Sequence, residues 1–142
     1  MTRYLFDTNV LSEATKPAPS EAVAQWIGAQ SRSDLFISAF SLAEIERGIL
    51  ARAQGQKRRA LEQWFHGPDG PPALFAGRTF SFDERAAREW ARLMSEGAAL
   101  GRPRSALDMI VAATATANGC VVATLNERDF RDTVAVINPA RS

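Results

Sequence analysis

The sequence predicts an α/β fold of one domain, with a short parallel central sheet flanked by helices on both faces. Three observations carry that prediction. The apolar runs Tyr4-Leu5-Phe6, Leu35-Phe36-Ile37, Val121-Val122-Ala123 and Val134-Ala135-Val136-Ile137 are short and apolar throughout, the pattern of strands buried on both sides. Between them lie longer stretches with apolar residues at helical spacing. The two kinds of segment alternate along the chain, which is the order of strand-helix-strand units whose strands run parallel.

Taken in order, Tyr4-Leu5-Phe6 stops at Asp7, and a short helix carrying Val10, Leu11 and Ala14 follows until Pro17 and Pro19 break it. Ser20 is placed to cap a helix reaching about Gln30, and Leu35-Phe36-Ile37 is the next strand. A helix is expected from about Phe40 to Ala53, with Ser41 and Glu44 forming a capping box, and another over Lys57 to Phe65. Gly67-Pro68-Asp69-Gly70-Pro71-Pro72 reads as a loop supporting neither helix nor central strand. Arg78 to Phe82 is extended, and Ser81 with Glu84 marks the cap of a helix running to about Leu100. Gly101, Arg102 and Pro103 interrupt the chain before a helix from about Ser105 to Asn118, which Gly119 closes.

Composition sets limits on function. One domain spanning residues 1–142 is expected, and 46% hydrophobic with 23% charged residues is ordinary for a soluble globular chain. Seventeen Lys and Arg against sixteen Asp and Glu leave a net charge of +1, so any nucleic-acid site has to be local. No apolar run is long enough to span a bilayer and the N-terminus has no apolar leader, so the expectation is no membrane contact and a cytoplasmic location. Cys120 is the lone cysteine, which excludes an internal disulfide and a thiolate zinc cluster and reads as core packing.

In open parallel sheets, functional groups collect at the carboxyl ends of the strands. Asp7 stands at one such end, and Thr124, Asn126, Glu127 and Asp129 follow another. Glu44 and Asp108 each head a stripe of small residues, Gly48 with Ala51 and Ala112 with Ala115, that lets the helix approach its neighbours. Each acid also has a structural reading, since Asp7 is placed to cap a helix and Glu44 and Asp108 to sit in favourable first turns. Gathered together, however, the acids repel one another unless a cation is present. Oxygen ligands favour magnesium or manganese over zinc, ions that activate water and stabilise charge on a phosphoryl group. The single histidine, His66, leaves no histidine pair for the same work and reads as a surface residue.

The stretches Leu5 to Glu13, Ser41 to Gly48, Asp108 to Ala115 and Thr124 to Phe130 resemble, in order and spacing, the successive motifs of VapC-type PIN-domain toxins, particularly the FitB-like branch. The resemblance runs from Leu5 to about Pro139. It implies a Mg2+- or Mn2+-dependent endoribonuclease, the toxin half of a type II toxin–antitoxin pair. Asp7 and Asp108 would be the principal metal ligands and Glu44 a third acid, with Thr8, Asn9 and Thr124 supporting them. Where some members carry Asp, this chain has Asn126, so the fourth acidic position falls to Asn126 or to Asp129. The resemblance further implies a homodimer and a VapB-type antitoxin whose C-terminal segment lies in the toxin groove. Operator DNA would be bound only through that antitoxin.

Arg102 and Arg104, just ahead of the Asp108 helix, are the expected contacts to RNA phosphates; Arg47, Arg52, Lys57, Arg58 and Arg59 read equally as a solvated helix face. Trp26, Trp64 and Trp90 read as packing anchors. Two rival readings are an aspartyl-nucleophile phosphatase, which would need an acid where Asn9 stands, and a catalytically weak scaffold that only binds antitoxin or RNA, which Asn126 favours.

Overall fold

A computed structural model describes residues 1–141, which leaves only the last residue of the expected domain outside the described residues. The chain runs β1 (Arg3–Phe6), α1 (Thr8–Ala14), α2 (Glu21–Gly28), β2 (Leu35–Ser38), α3 (Ala39–Leu50), α4 (Gln56–His66), α5 (Pro71–Leu74), β3 (Thr79–Phe80), α6 (Glu84–Ala99), α7 (Ala106–Ala117), β4 (Cys120–Ala123) and β5 (Val136–Ile137). The strands form one parallel sheet in the order β3-β2-β1-β4-β5. Chain order reverses about β1, so the crevice for function opens at the carboxyl ends of β1 and its neighbours.

Strand alternation splits the core into two layers. Leu5 and Val122 pack with Leu93, Met109 and Val111 of α6 and α7, while Phe6 packs on the opposite face with Val10, Leu11, Trp26, Ile37 and Phe75. Both layers are apolar, which is why the strands read as unbroken hydrophobic runs. Cys120 is buried among the first layer, as its apolar surroundings indicated. Gly119, at φ 66°, takes the left-handed conformation that lets α7 end and β4 begin without a side-chain clash.

Several local expectations change. β2 runs directly into α3, whose cap is Ser38, accepting from the Ser41 amide over 3.1 Å; the Ser41–Glu44 capping box does not form because Ser41 is already inside the helix. Asp83, not Ser81, caps α6, since the shorter spacing brings its carboxylate to the Ala86 amide at 3.0 Å. The proline segment is not all loop: Pro71 and Pro72 open the one-turn α5, where the missing N–H groups cost nothing because first-turn amides have no helical partner. The terminal strand shortens to β5, and Leu107, in the first turn of α7, is 47% exposed.

Candidate functional site

Asp7 is the first residue beyond β1, and the register pairs Phe6 with Ala123, so Asp7 and Thr124 leave the sheet side by side. The Asp7 amide donates to the Ala123 carbonyl at 2.8 Å, which extends the ladder by one rung. Asp7 Oδ1 accepts from the Thr8 amide at 2.9 Å, capping α1, and Oδ2 accepts from the Thr124 hydroxyl at 2.9 Å. The structural and the functional reading of Asp7 therefore coexist, since capping occupies one oxygen and leaves the carboxylate at the crevice. Only 8% of Asp7 is exposed.

Glu44 arrives from α3, half-buried, because Ser38 starts that helix at the carboxyl end of β2. Its Oε1 accepts a short hydrogen bond from the Thr8 hydroxyl. The Thr8 and Ser41 hydroxyls are 2.9 Å apart and the Ser41 and Ser38 hydroxyls 3.3 Å apart, so a chain of hydroxyls ends on the carboxylate. Both serines are buried. Thr8 supports two acids at once: its amide holds Asp7 Oδ1 and its hydroxyl holds Glu44 Oε1, whereas Asn9, also expected to orient Asp7, bonds to neither carboxylate. The Asn9 amide oxygen accepts from the Leu125 amide at 3.2 Å, pinning the segment after β4.

Asp108 lies in the first turn of α7, whose cap Ser105 accepts from the Asp108 amide at 3.2 Å. Asp129 lies in the 3-10 turn Glu127–Phe130, and its Oδ2 accepts from the Asn126 side-chain amide at 2.6 Å. Asn126 also donates its backbone N–H to the Thr124 hydroxyl at 3.0 Å. Of the two residues open for the fourth corner, Asp129 is the one whose charge acts on Asp108, and Asn126 braces it.

Electrostatics tie the acids together. Burial pushes the Asp7 carboxyl up to about 6, with the Asp108 and Glu44 charges adding to the rise and the Thr124 and Thr8 hydrogen bonds opposing it. Burial likewise raises Asp108, followed by the charges of Asp129 and Glu44. Among the described residues, no three Asp, Glu, His or Cys side chains are gathered closely enough to hold a metal ion as they stand. The acids instead surround an open corner in which the charges of Asp108 and Glu44 raise the cost of ionising Asp7, and those of Asp129 and Glu44 the cost of ionising Asp108. Hard oxygen donors under mutual repulsion fit a divalent cation of the magnesium type and not a soft metal.

Two cavities flank this corner. A groove of about 750 Å³ runs from Thr8 and Glu44 past Ile45, Ile49, Leu61 and Trp64. A polar one of about 740 Å³ holds Asp108 and Asp129 beside Arg102, Arg128 and Arg131. Gly48 lines the first, and a Cβ there would meet nothing within 4 Å. The expected close approach along the Gly48–Ala51 stripe is therefore absent, whereas Ala112 and Ala115 of α7 are fully buried as their stripe required.

The family model for the PIN domain matches residues 4–135. The chain belongs to the PIN domain family. It is 38% identical to VapC ribonuclease Y4jK of Sinorhizobium fredii over 136 residues, 95% of this chain and 96% of that protein. It is 36% identical to Toxin FitB of Neisseria gonorrhoeae over the same length and shares. Among solved structures it resembles FitAB bound to an IR36 DNA fragment, with 34% identity, a TM-score of 0.87, and 98% of this chain and 96% of that one covered. The α/β expectation and the PIN resemblance agree with these findings.

Within this PIN domain the two arginines expected on RNA part company. Arg102 is 78% exposed at the polar cavity, 4.0 Å from Asp132. Arg104 is turned inward: its Nη1 donates to the Leu93 carbonyl at 2.7 Å and to Glu96 at 3.2 Å, its stem lies over Gly97, and 11% of its side chain is exposed. It ties the α6–α7 connection together and is not available to phosphate. Sequence reasoning passed over Ser38 and Ser41 as supports of Glu44, and over Arg128 and Arg131. The only available signal was that the arginines bracket Asp129. Asn9, held on Leu125, supplies no second acid for an aspartyl phosphatase.

Proposed function

We propose that this chain is a divalent-metal-dependent endoribonuclease acting as the toxin of a type II toxin–antitoxin pair in the cytoplasm. The observation that carries the reading is the buried Asp7 carboxylate, fixed through both oxygens and facing the charges of Asp108 and Glu44. Its similarity to VapC ribonuclease Y4jK and Toxin FitB supports the activity and the biological role.

Asp7, Glu44 and Asp108 would hold Mg2+ or Mn2+, with Asp129 completing the negative field. When bound, such an ion supplies a water acidic enough to attack a phosphodiester at neutral pH and offsets charge on the phosphoryl oxygens. The chain supplies orientation: Thr124 and the Thr8 amide fix Asp7, and the Thr8 hydroxyl fixes Glu44 Oε1, so neither carboxylate has to reorganise during reaction. Arg102 stands at the same cavity as Asp108, where it meets a phosphate next to the one being cut.

The partner we assign is a VapB-type antitoxin whose C-terminal segment occupies the groove beside Thr8 and Glu44, and which carries any operator contact. The support is the likeness to FitAB bound to DNA together with the apolar lining of that groove. A homodimer is supported by Leu100 and Leu107, 61% and 47% exposed at the α6–α7 junction.

The test is cleavage of bacterial RNA by the purified, antitoxin-free chain with Mg2+, with Mn2+ and with excess EDTA. Cutting that needs metal is the expected result, and the cut ends then identify the target. A folded chain that cuts under none of these conditions would favour a scaffold that only binds antitoxin or RNA.

A further inference from the structure

The turn Glu127–Phe130 carries Asp129 to the acidic corner, and on either side of Asp129 it carries Arg128 and, at its end, Arg131. In a 3-10 turn, side chains three apart stack on one face, and the Arg131 amide reaches the Arg128 carbonyl at 3.4 Å. Arg131 closes the turn, and both arginines line the same polar cavity as Asp108 and Asp129. Both residues are exposed, and neither has an ion-pair partner among the described residues, although carboxylates line the same cavity.

The turn that presents them is firmly seated. Phe130 is 1% exposed in the core, Asn126 braces Asp129, and Asn138 donates to Glu127 at 3.1 Å. Free cations on a rigid mount keep their full charge for a ligand and lose little backbone entropy when they bind. Arg128 and Arg131 also line a second polar cavity of about 410 Å³ that reaches Arg141. The two cavities share both arginines, so a polar path leads from Asp108 and Asp129 across them toward the Arg141–Glu127 pair.

We propose that Arg128 and Arg131 form a phosphate rail that holds the RNA strand on one side of the scissile bond and sets the direction in which it crosses the acidic corner. This rests on the ribonuclease reading. Guanidiniums match phosphate oxygens in pairs, and phosphate contacts position a strand without reading its bases. The opposite flank of the corner is the largely apolar groove beside Glu44, whose cations are Lys16, paired with Glu13, and Arg52. The two unengaged arginines lie on the Asp129 side, and that is the side assigned to the strand.

The experiment is fluorescence anisotropy with two single-stranded oligoribonucleotides of unrelated sequence, with Ca2+ in place of Mg2+, across a series of salt concentrations. It compares the unaltered chain, Arg128→Gln/Arg131→Gln, and Arg85→Gln/Arg88→Gln, which removes the same charge from the outer face of α6. Losing two phosphate contacts flattens the slope of log affinity against log salt by roughly 1.4 and weakens binding roughly 25-fold at about 0.1 M salt, equally for both sequences. The α6 variant is expected to bind like the unaltered chain. Unchanged affinity and slope in the Arg128/Arg131 variant overturn the rail, as does a loss seen with one sequence only. If the unaltered, folded chain binds neither oligonucleotide, the ribonuclease reading itself falls, and the rail with it.

Discussion

Thr124 and Asp7, 117 positions apart in sequence, are joined by a hydrogen bond of 2.9 Å from the threonine hydroxyl to Asp7 Oδ2. The bond follows from the parallel register of β1 and β4, and it is the largest influence opposing the rise of the Asp7 carboxyl. Thr124→Val keeps the shape and deletes the donor. It is expected to raise the Asp7 carboxyl further, readable by carbon-detected NMR titration of the metal-free chain, and to weaken activation by metal. Thr124→Ser restores both. The valine variant also removes the acceptor of the Asn126 amide, but Asn126 is exposed and water can take its place, so denaturant melts are expected to change little on that account.

Metal-free stability is expected to depend on pH through Asp7. The ordinary value of 3.8 applies to the unfolded chain and about 6 to the folded one. Between these values the folded state binds more protons, so stability falls as pH rises from about 4 to about 6 and is lowest above that window. The full shift corresponds to about 3 kcal/mol. Asp7→Asn, which still caps α1, is expected to melt higher than the unaltered chain above pH 6 in EDTA. Saturating Mg2+ is expected to stabilise the unaltered chain and not the variant. Equal melting of the two chains in EDTA at every pH would show that Asp7 carries no such burden.

The Ser38–Ser41–Thr8 hydroxyl chain is expected to hold the reactive rotamer of Glu44. Ser41→Ala, in a fully buried position, deprives the Thr8 hydroxyl of one partner. The expected outcome is a drop in kcat with KM little changed and about 1 kcal/mol of lost stability. Ser41→Thr is the restoring variant. A stability loss with full kcat would leave the chain a purely structural role.

Arg104→Ala is expected to behave as a stability variant. Its guanidinium joins the Leu93 carbonyl and Glu96 at a largely enclosed position, and hydrogen bonds to charged groups are worth about 1.5–3 kcal/mol. Thermal melts are expected to fall by several degrees, while RNA affinity measured well below the transition stays unchanged. A selective loss of affinity would return Arg104 to the RNA surface.

The layout of the sheet was legible in the sequence because doubly buried strands leave an unmistakable apolar pattern, and Asp7 was legible because it ends the first of them. Glu44 and Asp108 were visible as acids opening helices, but their neighbours were not. The Ser41–Glu44 spacing looks like a cap only if the helix begins late. A strand that runs straight into a helix moves the cap back to Ser38 and leaves Glu44 free, and that join depends on tertiary register. Arg104 looked like its neighbour Arg102 because charge is readable from sequence and direction is not; the bare Gly97 surface that receives its stem lies seven residues back, on α6. Gly48 looked like a close-packing residue, yet it lies over open space, since a missing side chain permits contact without demanding it.

The central claim is that Asp7, Glu44 and Asp108 act as one acidic site for cutting RNA. Cleavage by Asp108→Asn, compared with the unaltered chain over a Mn2+ titration, tests it most directly. Asn preserves size and the first turn of α7, so melting is expected to stay within a few degrees of the unaltered chain. Cleavage is expected to fall below detection at every metal concentration. Undiminished cleavage by a folded Asp108→Asn chain would contradict the site.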